Sequence, residues 1–540
     1  MTSHANESSE VRKISDTDYS DPAVLSLHRP FQHRRTTIIV TFANPTVTLV
    51  DIHTIMETGM NVARFLPAKS TSHDKKELIT KVFKAAKYLA KKHGMIEWPY
   101  ATCIELKTCV VKTGILEQGS HLFIPADSEV TLTNDLEQYD KCNVNKIFVD
   151  NPYLTSETKE GMEVSIRQEA IIMIVKKILT DRVICTVIKA GYLKNLDSVC
   201  MRGAKRTRSY LSMKDLELAK LAMDNEVDMI IIQYARHPDT VKRLKKFLGA
   251  ALKRTCLVCG ICTNEGLRNV DDIIKEADGI IVSREYLPYE LERKMMSSMD
   301  RIQKYIVGKC RRAGKPAYVS GQIFKSVFKT GKLNEQDATD VTHCLLQGVS
   351  GFLLKPCDNS QSTRNVIKEL TSLCTEIEPY TNEKIDFRRI IEEDPVPLNA
   401  AMAAVTSCVM LVNETQAQMI IIPTVSGRTV YHLNSLRIGC LVLAVTTNIR
   451  SFRLMQIKRA VIPLLYNGSS HGTWEKKVGD RINFAVEYAL NKNWLSYSNY
   501  YIALQKGTEL SAYCDTVRIL EVTTKKKELI SCGDDDQDSS

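Results

Sequence analysis

VDMIIIQYA, residues 227–235, is an apolar run soon followed by the amphipathic segment VKRLKKFLG. The same succession recurs along the chain. TCLVCGI (255–261) precedes LRNVDDIIKEA, DGIIVS (278–283) precedes a long helical segment, and KPAYVS (315–320) and SGFLLK (350–355) continue the series. Upstream, TTIIVTFA (36–43) precedes the helical VTLVDIHTIMETG, and TCIELK (102–107) ends another run. A strand that is apolar on both faces has no solvent side. An amphipathic helix after each such strand supplies its cover, which means parallel β buried under helices. Repeated this often, the pattern predicts an eight-stranded (β/α) barrel.

The pattern breaks at residues 108–203, where short alternating runs (EVTLTN, NKIFVD, GMEVSI, VICTVI) are separated by Gly, Asp and Asn turns. Period-two alternation between turns predicts a small β domain inserted as a lid. After about residue 380 the apolar helix AAMAAVTSCVML leads to AQMIIIPT (417–424), another helix and GCLVLAVTT (439–447), a further parallel α/β unit with an open sheet. The expected organisation is therefore a flexible segment at 1–30, a barrel over 31–107 and 204–378, a lid over 108–203, an α/β domain over 379–523, and a charged tail at 524–540 that ends in GDDDQDSS.

Composition narrows the function. Apolar content of 44% and charged content of 25% over 540 residues are ordinary for a globular protein with a large core. The net charge of +10 is spread along the chain with no dense basic run interleaved with aromatics, which argues against nucleic-acid binding. No stretch reaches about 18 uninterrupted apolar residues, so no membrane span is expected. No charged segment followed by an apolar one opens the chain, so no secretory signal is expected. These features predict a cytoplasmic protein whose sixteen cysteines stay reduced.

Three of those cysteines stand in C-x2-C-x2-C spacing, at Cys256, Cys259 and Cys262. In an extended strand successive side chains point to opposite faces. Cys259 is then on the face opposite Cys256 and Cys262, and three thiolates cannot converge on one ion. The cysteines read as small buried hydrophobes. Barrel chemistry sits at the C-terminal ends of strands. Here those ends carry Gly260, Cys262, Tyr286 and Gly321, none of them a carboxylate or a cation.

At these residues the sequence resembles the pyruvate kinase family over roughly residues 33–522. TGMNVAR (58–64), GLRNVDDIIKEADGIIV (266–282), RRAGKP (311–316) and WEKKVGDRINFA (474–485) match its motifs in order and spacing, and LKTCVVKTG (106–114) is a degraded form of another. The resemblance implies the barrel, lid and C-terminal α/β architecture. It implies phosphoryl transfer from phosphoenolpyruvate to ADP with Mg²⁺ and K⁺, and a homotetramer.

The resemblance also says what has changed. The family lysine that stabilises the migrating phosphoryl group falls on Gly260, and the two metal-binding carboxylates fall on Cys262 and Tyr286. The threonine implicated in proton transfer falls on Gly321, and monovalent-ion ligands fall on Leu66 and Ala68. Two backbone-approach glycines fall on Glu285 and Pro288. Arg64 and Lys107 keep the family residue, and an aspartate has become Glu105. Arg64 and Lys107 either pair with Glu105 or still hold an anion. Phosphoryl transfer is positioning plus charge neutralisation, and deleting one preorganised charge-stabilising group costs about 10²–10³-fold in rate. The expected reading is a family member with an impaired site, needing no cofactor and acting as a non-catalytic subunit, sensor or scaffold, either as a homo-oligomer or with an active paralogue. The alternative is a weak or altered kinase using Arg64, Glu105 and Lys107, with Asp358.

A second candidate site lies in PTVSGRT (423–429), which follows a strand and opens a helix. The hydroxyls of Thr424, Ser426 and Thr429 and the backbone at Gly427 could cradle a sugar phosphate, and Trp474 and Arg481 match family positions for a second phosphate. The closing loop is eroded to KGTELSAYCD (506–515). An ordinary strand–helix turn with a packing Trp is the other reading. Glu265 reads as structural, Arg284 as an ion-pair residue, and His53, His237 and His343 as surface residues without a nameable partner.

Overall fold

The computed structural model describes residues 33–43, 46–66, 72–106, 111–204, 211–291, 293–356, 359–381, 383–393, 397–468 and 471–523. The readings placed on 1–30 and 524–540, and on Ala68, Lys107 and Asp358, lie outside these residues.

Eight strands close a parallel barrel: β1 (Thr37–Phe42), β2 (Val62–Phe65), β3 (Ala101–Leu106), β12 (Met229–Ile232), β13 (Cys256–Ile261), β14 (Gly279–Ser283), β15 (Ala317–Ser320) and β16 (Gly351–Leu353). The strands succeed one another in chain order, and β1 pairs with β16 to close the ring. Every residue of these strands is buried, as expected of strands covered on both faces. One face of each strand packs outward against the helices, with Ile230, Ile232, Cys259, Ile261 and Ile280 among the contributors. The other fills the barrel with Ile39, Cys103, Met229, Ile231, Cys256, Val258 and Tyr318. Cys256 and Cys259 therefore face opposite ways, as their spacing requires.

Between β3 and β12, the described residues 111–204 are all β apart from two short helical turns, and the helix Met213–Asp224 then leads back into the barrel. Strands β5 (Glu129–Thr133), β6 (Lys146–Phe148), β7 (Glu163–Ile166), β8 (Ile171–Ile178), β9 (Arg182–Lys189) and β11 (Val199–Met201) form one sheet. β4 (His121–Ile124) and β10 (Gly191–Lys194) form a two-stranded sheet beside it. Both sheets share one apolar core built from residues such as Ile124, Val130, Val164, Met173 and Leu193. Strands β4, β8, β10 and β11 were not singled out in the sequence.

The C-terminal unit holds β17 (Met419–Pro423), β18 (Leu441–Thr446), β19 (Val461–Leu465), β20 (Tyr500–Gln505) and β21 (Thr516–Glu521) in the order β19-β18-β17-β20-β21. The first four are parallel and β21 returns antiparallel. Leu454 and Ile457 of this unit pack on the apolar filling of the barrel, and the Tyr318 hydroxyl donates to the Ile457 carbonyl at 2.5 Å. This plugs the barrel at the N-terminal ends of its strands and leaves the C-terminal ends as a mouth facing the lid. Every cysteine among the described residues is free, and no helix among them is long and apolar enough to cross a membrane.

Candidate functional site at the barrel mouth

The mouth is built from the last residues of successive strands. Arg64 ends on β2 and Glu105 on β3, and both side chains are buried. Arg64 Nε donates to Glu105 Oε2 at 2.7 Å, Arg64 NH2 donates to the same oxygen, and Arg64 NH1 donates to Thr41 Oγ1 at 2.8 Å. All three nitrogens of the guanidinium are thus engaged within the protein. Burial pushes the Glu105 carboxyl above its usual range, against the pull of Arg64.

Next along the ring, Cys262 follows β13 and is fully buried. Its thiol donates to the Gln233 carbonyl at 2.8 Å. Tyr286 follows β14 and its ring lies 5.4 Å from that of Tyr234. Burial pushes both the Cys262 thiol and the Tyr286 phenol well up, so both stay protonated at neutral pH. Gly260 and Gly321 are not simply empty positions. A Cβ on Gly260 would stand 2.3 Å from the Gln233 carbonyl oxygen, and one on Gly321 would stand 2.6 Å from Glu285 Cβ. The Gln233 backbone and Glu285 have closed over these two sites. Gln233 Oε1 and Ser320 Oγ are buried here without a hydrogen-bond partner.

The lid rests on this mouth. Gln168 Nε2 donates to the Glu285 carbonyl at 3.3 Å, Cys200 Sγ to the Tyr289 carbonyl at 3.4 Å, and Arg202 NH1 to the Leu291 carbonyl at 2.5 Å. A cavity remains between lid and barrel, lined by Ser165, Gln168, Cys200, Tyr234, Arg236 and Tyr286. The sequence reading missed Thr41, Gln233 and Tyr234. Each sits at or just past a strand end, so strand ends alone were signal enough to nominate them.

The chain matches the barrel-domain model of pyruvate kinase over residues 33–358 and the pyruvate kinase alpha/beta-domain model over residues 402–520. It belongs to the pyruvate kinase family. Pyruvate kinase of Leishmania mexicana is 24% identical over 508 residues, covering 92% of this chain and 98% of that protein. Pyruvate kinase PKLR of Homo sapiens is 24% identical over 497 residues, covering 92% of this chain and 86% of that protein. Pyruvate kinase of Agaricus bisporus reaches 26% over 507 residues.

In this family member the second candidate site is a turn with much of its bonding capacity used internally. Thr424 Oγ1 accepts from Gly427 N at 3.0 Å, and Ser426 Oγ accepts from Arg428 N at 3.4 Å. Thr429 Oγ1 donates to Cys514 Sγ at 3.3 Å, and Trp474 Nε1 donates to the Lys506 carbonyl at 3.0 Å. Both ends of the 506–515 loop are thereby tied down, one to the turn and one to Trp474. Arg481 Nε is buried without a hydrogen-bond partner.

The remaining sequence readings divide. Arg284 pairs with Asp340 at 2.7 Å, as an ion-pair residue should. Glu265 lies 3.9 Å from Arg236 NH1. The three histidines read as surface residues without a nameable partner have these neighbours, and His237 and His343 are exposed. His53 stacks on Tyr88 at 4.3 Å, His237 Nδ1 caps a helix by accepting from Asp239 N, and His343 Nδ1 lies 3.1 Å from Asp300. Helix N-caps and i,i+4 or cross-helix neighbours fix these contacts, and a lone histidine in a sequence shows none of them.

Proposed function

We propose that this protein keeps the pyruvate kinase fold without the phosphoryl-transfer reaction, and acts as a non-catalytic subunit, sensor or scaffold. The observation that carries this reading is the closed position at Gly260. The phosphoryl-stabilising cation of the family would have to occupy a site where even a Cβ meets backbone at 2.3 Å.

The donors present do not fit Mg²⁺. That ion requires oxygen ligands in near-octahedral array, and the matching positions hold a protonated thiol and a protonated phenol. Of the carboxylates near the mouth, Glu105 is engaged by Arg64, Glu285 lies 3.7 Å from Lys355, and Glu290 lines the cavity beside Tyr286, none of them at a matching position. No step through a metal is therefore derived. The same ion pair argues against a weak kinase using Arg64 and Glu105, because each neutralises the other.

Two measurements test the reading. A coupled assay of the purified chain with phosphoenolpyruvate, ADP, Mg²⁺ and K⁺ is expected to show no turnover; a rate near the ~10 s⁻¹ typical of enzymes overturns it. Size-exclusion chromatography with an active family member tests the subunit version, which fails if the two never co-elute. The turn at Thr424–Thr429 with Trp474 and Arg481 is a second reading, a sugar-phosphate sensor, favoured by the unpartnered Arg481 Nε. A thermal shift with a sugar bisphosphate tests it: saturation at one hundred times Kd stabilises by about 2.7 kcal/mol.

A further inference from the structure

At the plugged end of the barrel, between it and the C-terminal unit, lies a cavity lined among others by Arg311, Lys315, Ser350, Ser435, Arg437 and Arg459. Four of its lining side chains are cations and none is an anion. Two come from the barrel and two from the C-terminal unit.

The carboxylates behind these cations are already shared. Glu383 accepts from Arg459 NH2 at 2.6 Å and from Arg35 NH1 at 2.7 Å. Asp386 accepts from Arg311 NH1 at 2.8 Å and serves Arg389 and Arg437 at 3.4 Å each. Lys315 donates to the carbonyls of Ile274 and Lys275 at 2.5 and 2.9 Å, with Asp278 and Glu276 attracting it from further off.

Arg437 is only partly satisfied, with its Nε 3.4 Å from an oxygen of the Asp386 carboxylate that it shares with other arginines. It is 8% exposed, and its NH2 donates to the Leu345 carbonyl at 3.1 Å. Neither its Nε nor its NH1 makes a hydrogen bond, and Arg311 Nε is likewise buried without one. NH1 occupies the space above Gly348, where a Cβ would stand 1.7 Å from it. Burial and the adjacent Arg459 hold the Arg437 guanidinium down to a pKa of about 10, still protonated at neutral pH. A buried charged donor left without a hydrogen bond is costly, and the one Asp386 carboxylate shared among Arg311, Arg389 and Arg437 leaves three such buried donor atoms on Arg437 and Arg311.

We propose that this cavity binds a small oxyanion, a phosphate group held by Arg437 and Arg311 and surrounded by Arg459 and Lys315. The ligand would join the barrel to the C-terminal unit, since each contributes half of the cations. The inference does not depend on whether the barrel mouth has lost its reaction.

Crystals of the full chain soaked in selenate decide it. A selenium anomalous peak within hydrogen-bonding reach of Arg437 NH1 is expected; no peak in the cavity overturns the proposal. In solution, calorimetric titration with orthophosphate and with glycerol phosphate, at ionic strength held with chloride, separates a free ion from a phosphate monoester; binding of either supports the site and binding of neither overturns it. Arg437→Gln is expected to weaken that binding about 10–100-fold, the worth of one charge-assisted hydrogen bond. Lys315→Met, which leaves the Asp386 contacts intact, serves if Arg437→Gln does not fold. Thr429→Val should leave the binding unchanged; if it alone abolishes binding, the anion sits in the 424–429 turn and the proposal fails.

Discussion

Gly260 faces the backbone carbonyl of Gln233 so closely that a Cβ would stand 2.3 Å from the oxygen. Strand β13 lies so close to the end of β12 here that no side chain longer than hydrogen fits without a shift. Gly260→Ala should destabilise by about 1–3 kcal/mol, the usual cost of overpacking, and Gly260→Lys by more, because it also buries an ammonium. Gly308→Ala is the control. It lies in the helix Met299–Arg312 with nothing near its Cβ, and should stabilise by roughly 0.5–1 kcal/mol. Urea midpoints at constant slope measure all three; a Gly260→Ala protein as stable as the wild type refutes the closure.

Gly321 repeats the argument on β15. Its φ of +78° is left-handed, and a Cβ would stand 2.6 Å from Glu285 Cβ. A threonine there would bear both a backbone penalty of about 1–3 kcal/mol and a collision. Under the proposed function, placing carboxylates and a hydroxyl at these positions together, as Cys262→Glu, Tyr286→Asp and Gly321→Thr, is expected to lower the melting temperature and give no turnover in the coupled assay. Turnover in that triple variant would mean the backbone gives way more easily than its geometry says.

Arg64 and Glu105 form a buried ion pair, and such pairs resist single changes more than double ones. Arg64→Met or Glu105→Gln alone leaves an uncompensated group and should cost about 3–5 kcal/mol. Replacing both with Leu should cost far less, because an apolar pair of similar volume is often neutral or stabilising. A loss in the double variant equal to the sum of the two single losses, by denaturant midpoint, would show that the two residues do not depend on each other.

The same pair sets a pH dependence. Burial raises the Glu105 pKa above its ordinary 4.5, so the folded state holds that proton more tightly than the unfolded state. The stability this contributes is complete below 4.5 and is lost as pH rises through the folded value. Acidification from neutral pH towards 4.5 should therefore favour the wild type relative to Glu105→Gln. A difference that is flat with pH, or of opposite slope, contradicts the direction.

The barrel was legible because its signal is redundant: runs such as MIII in β12 and GIIVS in β14 are each followed by an amphipathic helix. The short strands were not. Three of the four residues of β2 lie inside the quoted motif TGMNVAR, and three-residue β11 carries too few side chains to show a period. In the mouth, residue identities at Gly260, Cys262, Tyr286 and Gly321 were readable, but what packs on them was not. That Gln233 and Glu285 lie against Gly260 and Gly321 is a property of backbone approach between strands and loops that sequence periodicity does not carry. The basic cavity was invisible for the same reason, since Arg311 and Arg437 are brought together only by the docking of the C-terminal unit.

That docking has a second anchor. Arg453, from the C-terminal unit, donates through Nε and NH2 to Asp228 Oδ2 at 3.1 and 2.7 Å and through NH2 to Thr102 Oγ1 at 3.1 Å. Its guanidinium also lies 5.0 and 5.1 Å from the ring centroids of Phe83 and Tyr100. Asp228 is 4% exposed, so Arg453→Ala would leave a buried carboxylate without its cation, at about 3–5 kcal/mol. Because the loss falls on the junction, calorimetry should show the C-terminal unit melting ahead of the barrel. Arg453→Leu with Asp228→Asn should recover much of the loss by removing the orphaned charge. A pair nearer the surface gives the contrast: Lys81→Ala, which breaks a helical contact to Glu77 of 2.9 Å, should change stability by less than about 1 kcal/mol. A single unshifted transition in Arg453→Ala would show that the apolar plug at Leu454 and Ile457 holds the two units together without it.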